Sequence, residues 1–286
     1  MEHRRAISTF ILYAALVIGA VVMVLPLGWM IVTSLKTYPE ILSDPPAWLP
    51  ASPQWTNYRA VLGQFAYYRF FLNSMFVAAM VIAGTMLTCC PAAYAFAFYD
   101  VPRKNLMFAL LLSTLMLPAQ VTVIPVFRMF AAVHWVDTYL PLIFPAWLGG
   151  NVFGIFLLRK FFRTITRSFI EAARLDGASE WAILWRLVVP MSFPAVLTVI
   201  VFTFLWSWND LFNPLIYLQS ESLVTLPVGL LYFIARAELL TGGSLGQVPW
   251  HLVMALATVM VLPVIVLFAF VQRRFVEGVA ASGVKG

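Results

Sequence analysis

"FIEAARLDGASEWAILWRLVVP", residues 169–190, is the longest stretch of this chain that mixes charge, small residues and apolar positions. It lies between two hydrophobic blocks, and its reading decides what kind of protein this is. Of the 286 residues, 62% are hydrophobic and 10% charged, with a mean hydropathy of +0.91. A soluble domain is far less apolar, so the chain belongs in a bilayer. The net charge of +6 does not indicate nucleic acid, because a basic binding face needs a polar surface that this composition lacks. Cys89 and Cys90 are adjacent in an apolar run and read as small hydrophobes, so no metal site and no catalytic residue is expected.

Crossing a hydrocarbon core of about 30 Å takes about 20 apolar residues. Six runs qualify, at roughly 10–32, 75–98, 106–127, 139–158, 191–208 and 252–271. Lipid offers backbone groups no partners, so each is expected to be a helix, giving an all-α integral membrane protein with one transmembrane domain over 1–286. A patch at 224–234 has about half the spanning length and contains Pro227 and Gly229, which suggests a re-entrant or interfacial segment. The first run follows His3, Arg4 and Arg5, is too long for the apolar core of a signal peptide, and is expected to be a retained anchor. Thirteen of the 18 Lys and Arg residues fall on one side: Arg4, Arg5, Arg103, Lys104, Arg159, Lys160, Arg163, Arg167, Arg174, Arg186, Arg273, Arg274 and Lys285. By the positive-inside rule both termini and the quoted segment are cytoplasmic. The first outer loop, with Pro39, Pro45, Pro46, Pro50 and Pro53, is expected to be extended.

Within the connection at 168–190, Ser168 and Glu171 have capping-box spacing, which predicts a helix through Ala172, Ala173, Arg174 and Leu175. Gly177 stops or bends it, and Ser179 can cap a second helix. On that helix Trp181, Leu184, Trp185 and Val188 recur at helical spacing, with Glu180 and Arg186 pointing elsewhere. Pro190 is expected to turn it into the fifth span. An arbitrary amphipathic loop of this kind would simply rest at the interface.

The residues nevertheless match a known pattern. Glu-Ala-Ala, three residues, Gly, nine residues, then Ile-x-Leu-Pro is the signature loop of bacterial ABC importer permeases; Glu171, Ala172, Ala173, Gly177 and Pro190 stand at that spacing, with Leu187 and Val189 as conservative departures. "TFLWSWNDLFNPLIYL" (203–218), "TLPVGL" (225–230) and the ending "FVEGVAASGVKG" resemble the shorter membrane subunit of carbohydrate-uptake permeases of the maltose-transporter type. The ending departs from the commoner form through Glu277, Val279 and Ser282.

The resemblance implies a type I importer fold with a coupling helix between spans four and five, seated in a cleft of a separate ATPase. Glu171, Ala172, Ala173, Arg174, Asp176, Gly177, Trp181 and Pro190 would then form the ATPase-coupling site, with Trp181, Leu184 and Trp185 facing either the ATPase or neighbouring helices. The tail at 275–286, which composition alone reads as irregular, would reach the ATPase pair through Gly283 and Lys285. Implied partners are a second, different permease subunit, two ATPase subunits, an extracytoplasmic solute-binding protein, membrane lipid and a sugar. This chain would bind no cofactor; ATP and Mg would be used by the partner ATPase. The location implied is the bacterial inner membrane.

Candidates for the translocation path are Gln120, Thr122, Trp206, Asn209, Asp210 and Asn213. Tryptophan beside amide and carboxylate groups suits sugars, whose C–H faces stack on aromatics while their hydroxyls hydrogen-bond. The competing reading makes Asp210 and Asn213 a helix cap before Pro214, and Gln120 and Thr122 partners for a backbone kinked by Pro118 and Pro125. Asn73 and Ser74 read as caps of the second span. A glycerol-phosphate or polyol importer is an alternative, and an ion-coupled carrier a weaker one, since Asp210 alone approaches an intramembrane carboxylate. With no Walker-type loop, the chain is not itself an ATPase.

Overall fold

The structure is a computed structural model that describes residues 2–45, 47–64, 66–240 and 248–283. Among the described residues it is wholly helical. In chain order the helices are α1 (Glu2–Ser34), α2 (Tyr38–Ile41), α3 (Thr56–Gln64), α4 (Tyr67–Phe98), α5 (Lys104–Ser113), α6 (Ala119–Ala132), α7 (Leu140–Trp147), α8 (Val152–Phe162), α9 (Arg167–Leu175), α10 (Glu180–Ile183), α11 (Val189–Met191), α12 (Phe193–Trp208), α13 (Phe212–Tyr217), α14 (Leu226–Leu240) and α15 (Trp250–Gly283). Thr9–Ser34, Tyr67–Phe98, Leu140–Phe162 and Trp250–Gln272 are long and apolar enough to cross a membrane. Two bent pairs bring the count to six.

Those bends depart from the sequence reading. The run at 106–127 is two helices: Lys104–Met116 and Gln120–Ala132 meet at 99°. Pro118, extended at φ −63° and ψ 130°, forces the turn because it cannot continue the preceding helix. The turn into α12 comes at Ser192, two residues after Pro190, where Glu180–Met191 and Phe193–Trp208 meet at 86°. Ser192 and Pro194 open the new helix, and Pro in a first turn removes only an N–H that has no helical partner anyway. Of the segment at 224–234, all but Val224 and Thr225 lies in α14, which has 15 residues and falls short of a crossing. The tail continues as helix to Gly283, because Val276, Val279, Ala280 and Ala281 are compatible with helix and Gly278 costs only about 1 kcal/mol there.

The chain divides into two compact units, Met1–Tyr68 with Gly229–Pro263, and Arg69–Val228 with Val264–Gly286. In the first, α1 exposes apolar side chains on all sides, Met23 at 84% among them, as suits a helix immersed in lipid. Its following loop is folded rather than extended. Buried Lys36 donates from Nζ to Ala47 O at 2.5 Å and lies 4.4 Å over the Trp29 ring, while Glu40 accepts from the backbone N–H of Thr37 and Ala51. These backbone donors hold the Glu40 carboxyl below its ordinary range. The prolines gave the extended reading; the buried cation and the capping carboxylate override it.

The second unit packs α4, α8, α12 and the 165–188 segment around one core that includes Cys90, Tyr94, Leu158, Phe162 and Val199. Close approach is set by small residues, as in other membrane bundles. A Cβ on Gly84 would lie 2.3 Å from Trp147 Cδ1, and that indole donates to Met80 O at 3.0 Å. Asn73 and Ser74 sit inside α4 rather than at its cap: Asn73 donates to Ser222 O and Val224 O, and Ser74 accepts from Leu226 N–H. Asp137 closes a second tie, accepting from Ser220 N–H, Gln219 N–H and the Ser220 hydroxyl.

Candidate functional site

The 169–190 stretch forms an elbow. Helix α9 starts two residues earlier than the capping-box reading expects, with Thr166 as its extended first cap and no side-chain cap bond. Ser168 is therefore inside the helix, the box is not formed, and Glu171 has no hydrogen-bond or ion-pair partner among the described residues. The helix stops where glycine allows it. Gly177 has φ +81°, Ala178 N–H donates to Ala173 O and Gly177 N–H to Arg174 O, the two bonds of a Schellman motif. Ser179 then accepts from Ala182 N–H and starts α10. From Leu184 to Val188 the helix widens to a π turn that runs into Pro190.

Two faces separate cleanly. Ile170, Ile183, Leu184 and Val188 are at most 2% exposed and join the core beside α4, α8 and α12. Glu171, Ala172, Arg174, Asp176, Gly177 and Pro190 are exposed, Ala173 is half-buried, and Leu175 stands 89% exposed one turn from Glu171. The tryptophans diverge: Trp181 is exposed, whereas Trp185 packs on the core with its indole N–H buried. Their rings meet edge to face at 5.8 Å.

Glu180, read from periodicity as pointing away, is instead the hinge pin of the elbow. Its carboxylate accepts from Arg174 Nε at 2.7 Å and Nη2 at 3.2 Å, and from the Tyr94 hydroxyl on α4 at 2.6 Å. The Arg174 guanidinium beside it, more than the tyrosines, holds its carboxyl down at about 2. The same contact raises Arg174 above its ordinary value. Arg174 also lies 5.9 Å from the Tyr99 ring, and Arg167 pairs with Asp100 at 3.4 Å. Lys104, then Arg167, lowers the Asp100 carboxyl. Tyr94 is 86 residues from Glu180 in sequence, and no local signal could have paired them.

The second feature is a cavity of about 310 Å3 within the second unit. Of the six residues expected along a translocation path, Trp206 and Asp210 line this cavity, whereas Gln120, Thr122, Asn209 and Asn213 are not among its lining residues. Asn209 donates to Leu205 O, and Asn213 donates to Asp210 through both its backbone N–H and its amide, so Asp210 caps α13 as the structural reading had it. Residues that sequence reasoning missed include Thr85, Asn151, Thr203, Ser207 and Thr225. One signal was present. Pro145, Gly149 and Gly150 mark a break in the fourth span, where Gly149 has φ +84° and Gly150 N–H reaches back to Pro145 O at 2.9 Å. Of the tail candidates, Gly283 ends α15 and Lys285 lies outside the described residues.

Comparison with known proteins adds the family. Residues 90–280 match the family described as binding-protein-dependent transport system inner membrane component. The probable ABC transporter permease YurM of Bacillus subtilis is 31% identical over 262 residues, covering 91% of this chain and 83% of that protein. The osmoprotective compounds uptake permease GgtD of Synechocystis is 38% identical over 230 residues, 80% of this chain and 74% of the relative. The sn-glycerol-3-phosphate transport system permease UgpE of Brucella abortus is 28% identical, with 99% of both chains covered. Among solved structures, a bacterial ABC transporter involved in import of the acidic polysaccharide alginate superposes with a TM-score of 0.81 at 24% identity, covering 94% of this chain and 97% of that one.

Proposed function

The chain belongs to the family of binding-protein-dependent transport system inner membrane components, and on that premise we propose that its 169–190 elbow docks a separate ATPase and drives import of a sugar or polyol. It is a multi-pass membrane permease subunit, a transporter component rather than an enzyme. The observation that carries the lever reading is the division of the elbow into two faces. Ile170, Ile183, Leu184 and Val188 fix one face to the spans, while Glu171 and Leu175 stand unpartnered on the other. The glycine corner at Gly177 and the Glu180 bridge keep the angle between the two helices, so force on α9 passes to α4 and α12 rather than bending the loop.

In this reading a pair of ATPase subunits consumes ATP and Mg, a second and different permease subunit completes the pathway, and a solute-binding protein delivers cargo from outside. The excess of Lys and Arg on the elbow side supports cytoplasmic termini. ATPase closure would push α9, and the spans would switch between inward and outward access. The tail reaching Gly283 and Lys285 is a further ATPase contact in the same scheme. A relative named for transport of sn-glycerol 3-phosphate, a polyol derivative, supports a hydroxyl-bearing cargo.

The test is cross-linking from Leu175→Cys in membranes carrying the complete transporter, with Cys89 and Cys90 buried and therefore silent. A product with an ATP-hydrolysing chain is expected, along with loss of uptake in Glu171→Lys. Products with lipid alone, together with normal uptake in Glu171→Lys, would remove the lever.

A further inference from the structure

The cavity of the second unit is a place where a membrane protein has left polar groups unused. Thr85, in the middle of α4, is 1% exposed, and Thr225 is 3% exposed; both line the cavity, and neither hydroxyl has a hydrogen-bond partner among the described residues. Leaving a buried hydroxyl unpaired costs about 1–3 kcal/mol, so two on residues that line one cavity need a reason. Across from them the fourth span is broken at 148–151, and irregular backbone at membrane depth is tolerated where it lines a cavity. Asn151 accepts from Gly154 N–H at 2.8 Å and donates to the Thr203 hydroxyl oxygen at 3.1 Å. Trp206 adds an aromatic surface and Asp210 a carboxylate whose oxygens keep lone pairs beyond those given to Asn213.

The charge of this lining sorts the cargo. Its described residues include no Lys, Arg or His, and its one ionisable group is Asp210. A phosphate would meet that carboxylate with no cation to balance it. The N-terminus of α8 offers little compensation, because the Gly154 N–H is already taken by Asn151. Uncharged hydroxyls fit on every count: they donate to Asp210, exchange bonds with Thr85 and Thr225, and present C–H faces to Trp206. A volume of about 310 Å3 is at the low end for ligand sites, which run from about 300 to 1,000 Å3, and suits one ring or a short polyol rather than a chain of sugars.

We infer that this cavity is a binding station, contained within this one chain, for a single uncharged sugar ring or polyol, and that it discriminates against phosphorylated solutes. The inference rests on the importer reading and narrows it. The experiment uses proteoliposomes with the complete transporter and saturating binding protein, supplied with labelled glucose, sucrose, glycerol and glycerol 3-phosphate. Wild type is expected to accumulate a neutral solute in an ATP-dependent manner. Thr85→Val and Thr225→Val are each expected to lower that uptake about tenfold at low solute, the factor carried by one hydrogen bond. Their melting temperatures should equal or exceed wild type, since each removes an unpaired buried hydroxyl. Unchanged uptake in both variants, or accumulation of glycerol 3-phosphate in preference to every neutral solute, would overturn the cavity assignment and leave the importer standing. Absence of ATP-dependent accumulation of all four would instead count against the importer reading itself.

Discussion

Replacing Glu180 by Gln isolates the bridge from the rest of the elbow, because the amide keeps the length and an acceptor oxygen while removing the charge. The Arg174 and Glu180 side chains are 39% and 41% exposed, so solvent screens the pair and its loss is worth about 0.5–1 kcal/mol. The Tyr94 bond is better shielded, with Tyr94 itself 3% exposed, and demoting it from a charged to a neutral acceptor costs about 1 kcal/mol more. The total, near 2 kcal/mol, is small beside the burial of Ile170, Ile183, Leu184 and Val188, at about 1.5–3 kcal/mol each. The elbow should therefore stay folded and attached while its corner loosens. In proteoliposomes with the complete transporter, the expected result is a lower ratio of solute moved to ATP hydrolysed, with hydrolysis retained. Tyr94→Phe should give part of the same loss, and the double variant less than the sum, because the two side chains share one bond. The pH dependence has a definite sign. The folded-state carboxyl is depressed from 4.5 to about 2, so the bridge contributes in full above about pH 4.5 and is lost as pH falls through about 2. A transport-to-hydrolysis ratio unchanged in Glu180→Gln would refute the claim that this bridge stiffens the lever.

Three other outcomes follow from single positions. Gly177→Ala puts a Cβ into open space but holds it at φ +81°, so a loss of about 1 kcal/mol is expected, read as a lower melting temperature, with Gly177→Asn milder. Gly84→Ala would drive a Cβ to within 2.3 Å of the Trp147 ring and should cost about 1–3 kcal/mol; pairing it with Trp147→Ala should recover part of that in a thermal unfolding assay. Asp137→Asn weakens the carboxylate that holds Ser220 and Gln219. Because that carboxyl is depressed below its ordinary 3.8, chiefly by the Ser220 hydroxyl, its contribution is present above about pH 3.8 and lost below; wild type and variant should differ in stability at neutral pH and converge in acid.

What could be read from the residues alone depended on how far away each residue's determining partner lies. The existence of spans needed no partner, since lipid obliges any apolar run to satisfy its own backbone. The elbow's corner was equally legible: Gly177 and Ser179 act on neighbours within five residues, through the Schellman bonds and the cap on Ala182. Where two local signals compete, the reading slips by two residues. Thr166 and Ser168 can both open α9, and the choice of Thr166 releases Glu171 from a cap and leaves it exposed. Pro118 and the Gly149–Gly150 pair were visible punctuation, but hydropathy runs straight through them and hid the 99° turn and the break at 148–151. Beyond that range sequence offers no handle. Glu180 meets Tyr94 across 86 residues and Asn151 meets Thr203 across 52. The consequence is specific to this chain. On the docking reading, its recognisable motif supplies the surface for a partner and the buried apolar face holds that surface to the spans, whereas the stiffness of the corner rests in part on Tyr94 and Glu180, which lie outside the motif's defining positions. Since a loosened corner absorbs motion that the spans would otherwise receive, variation at those two residues should tune coupling even where every motif residue is intact.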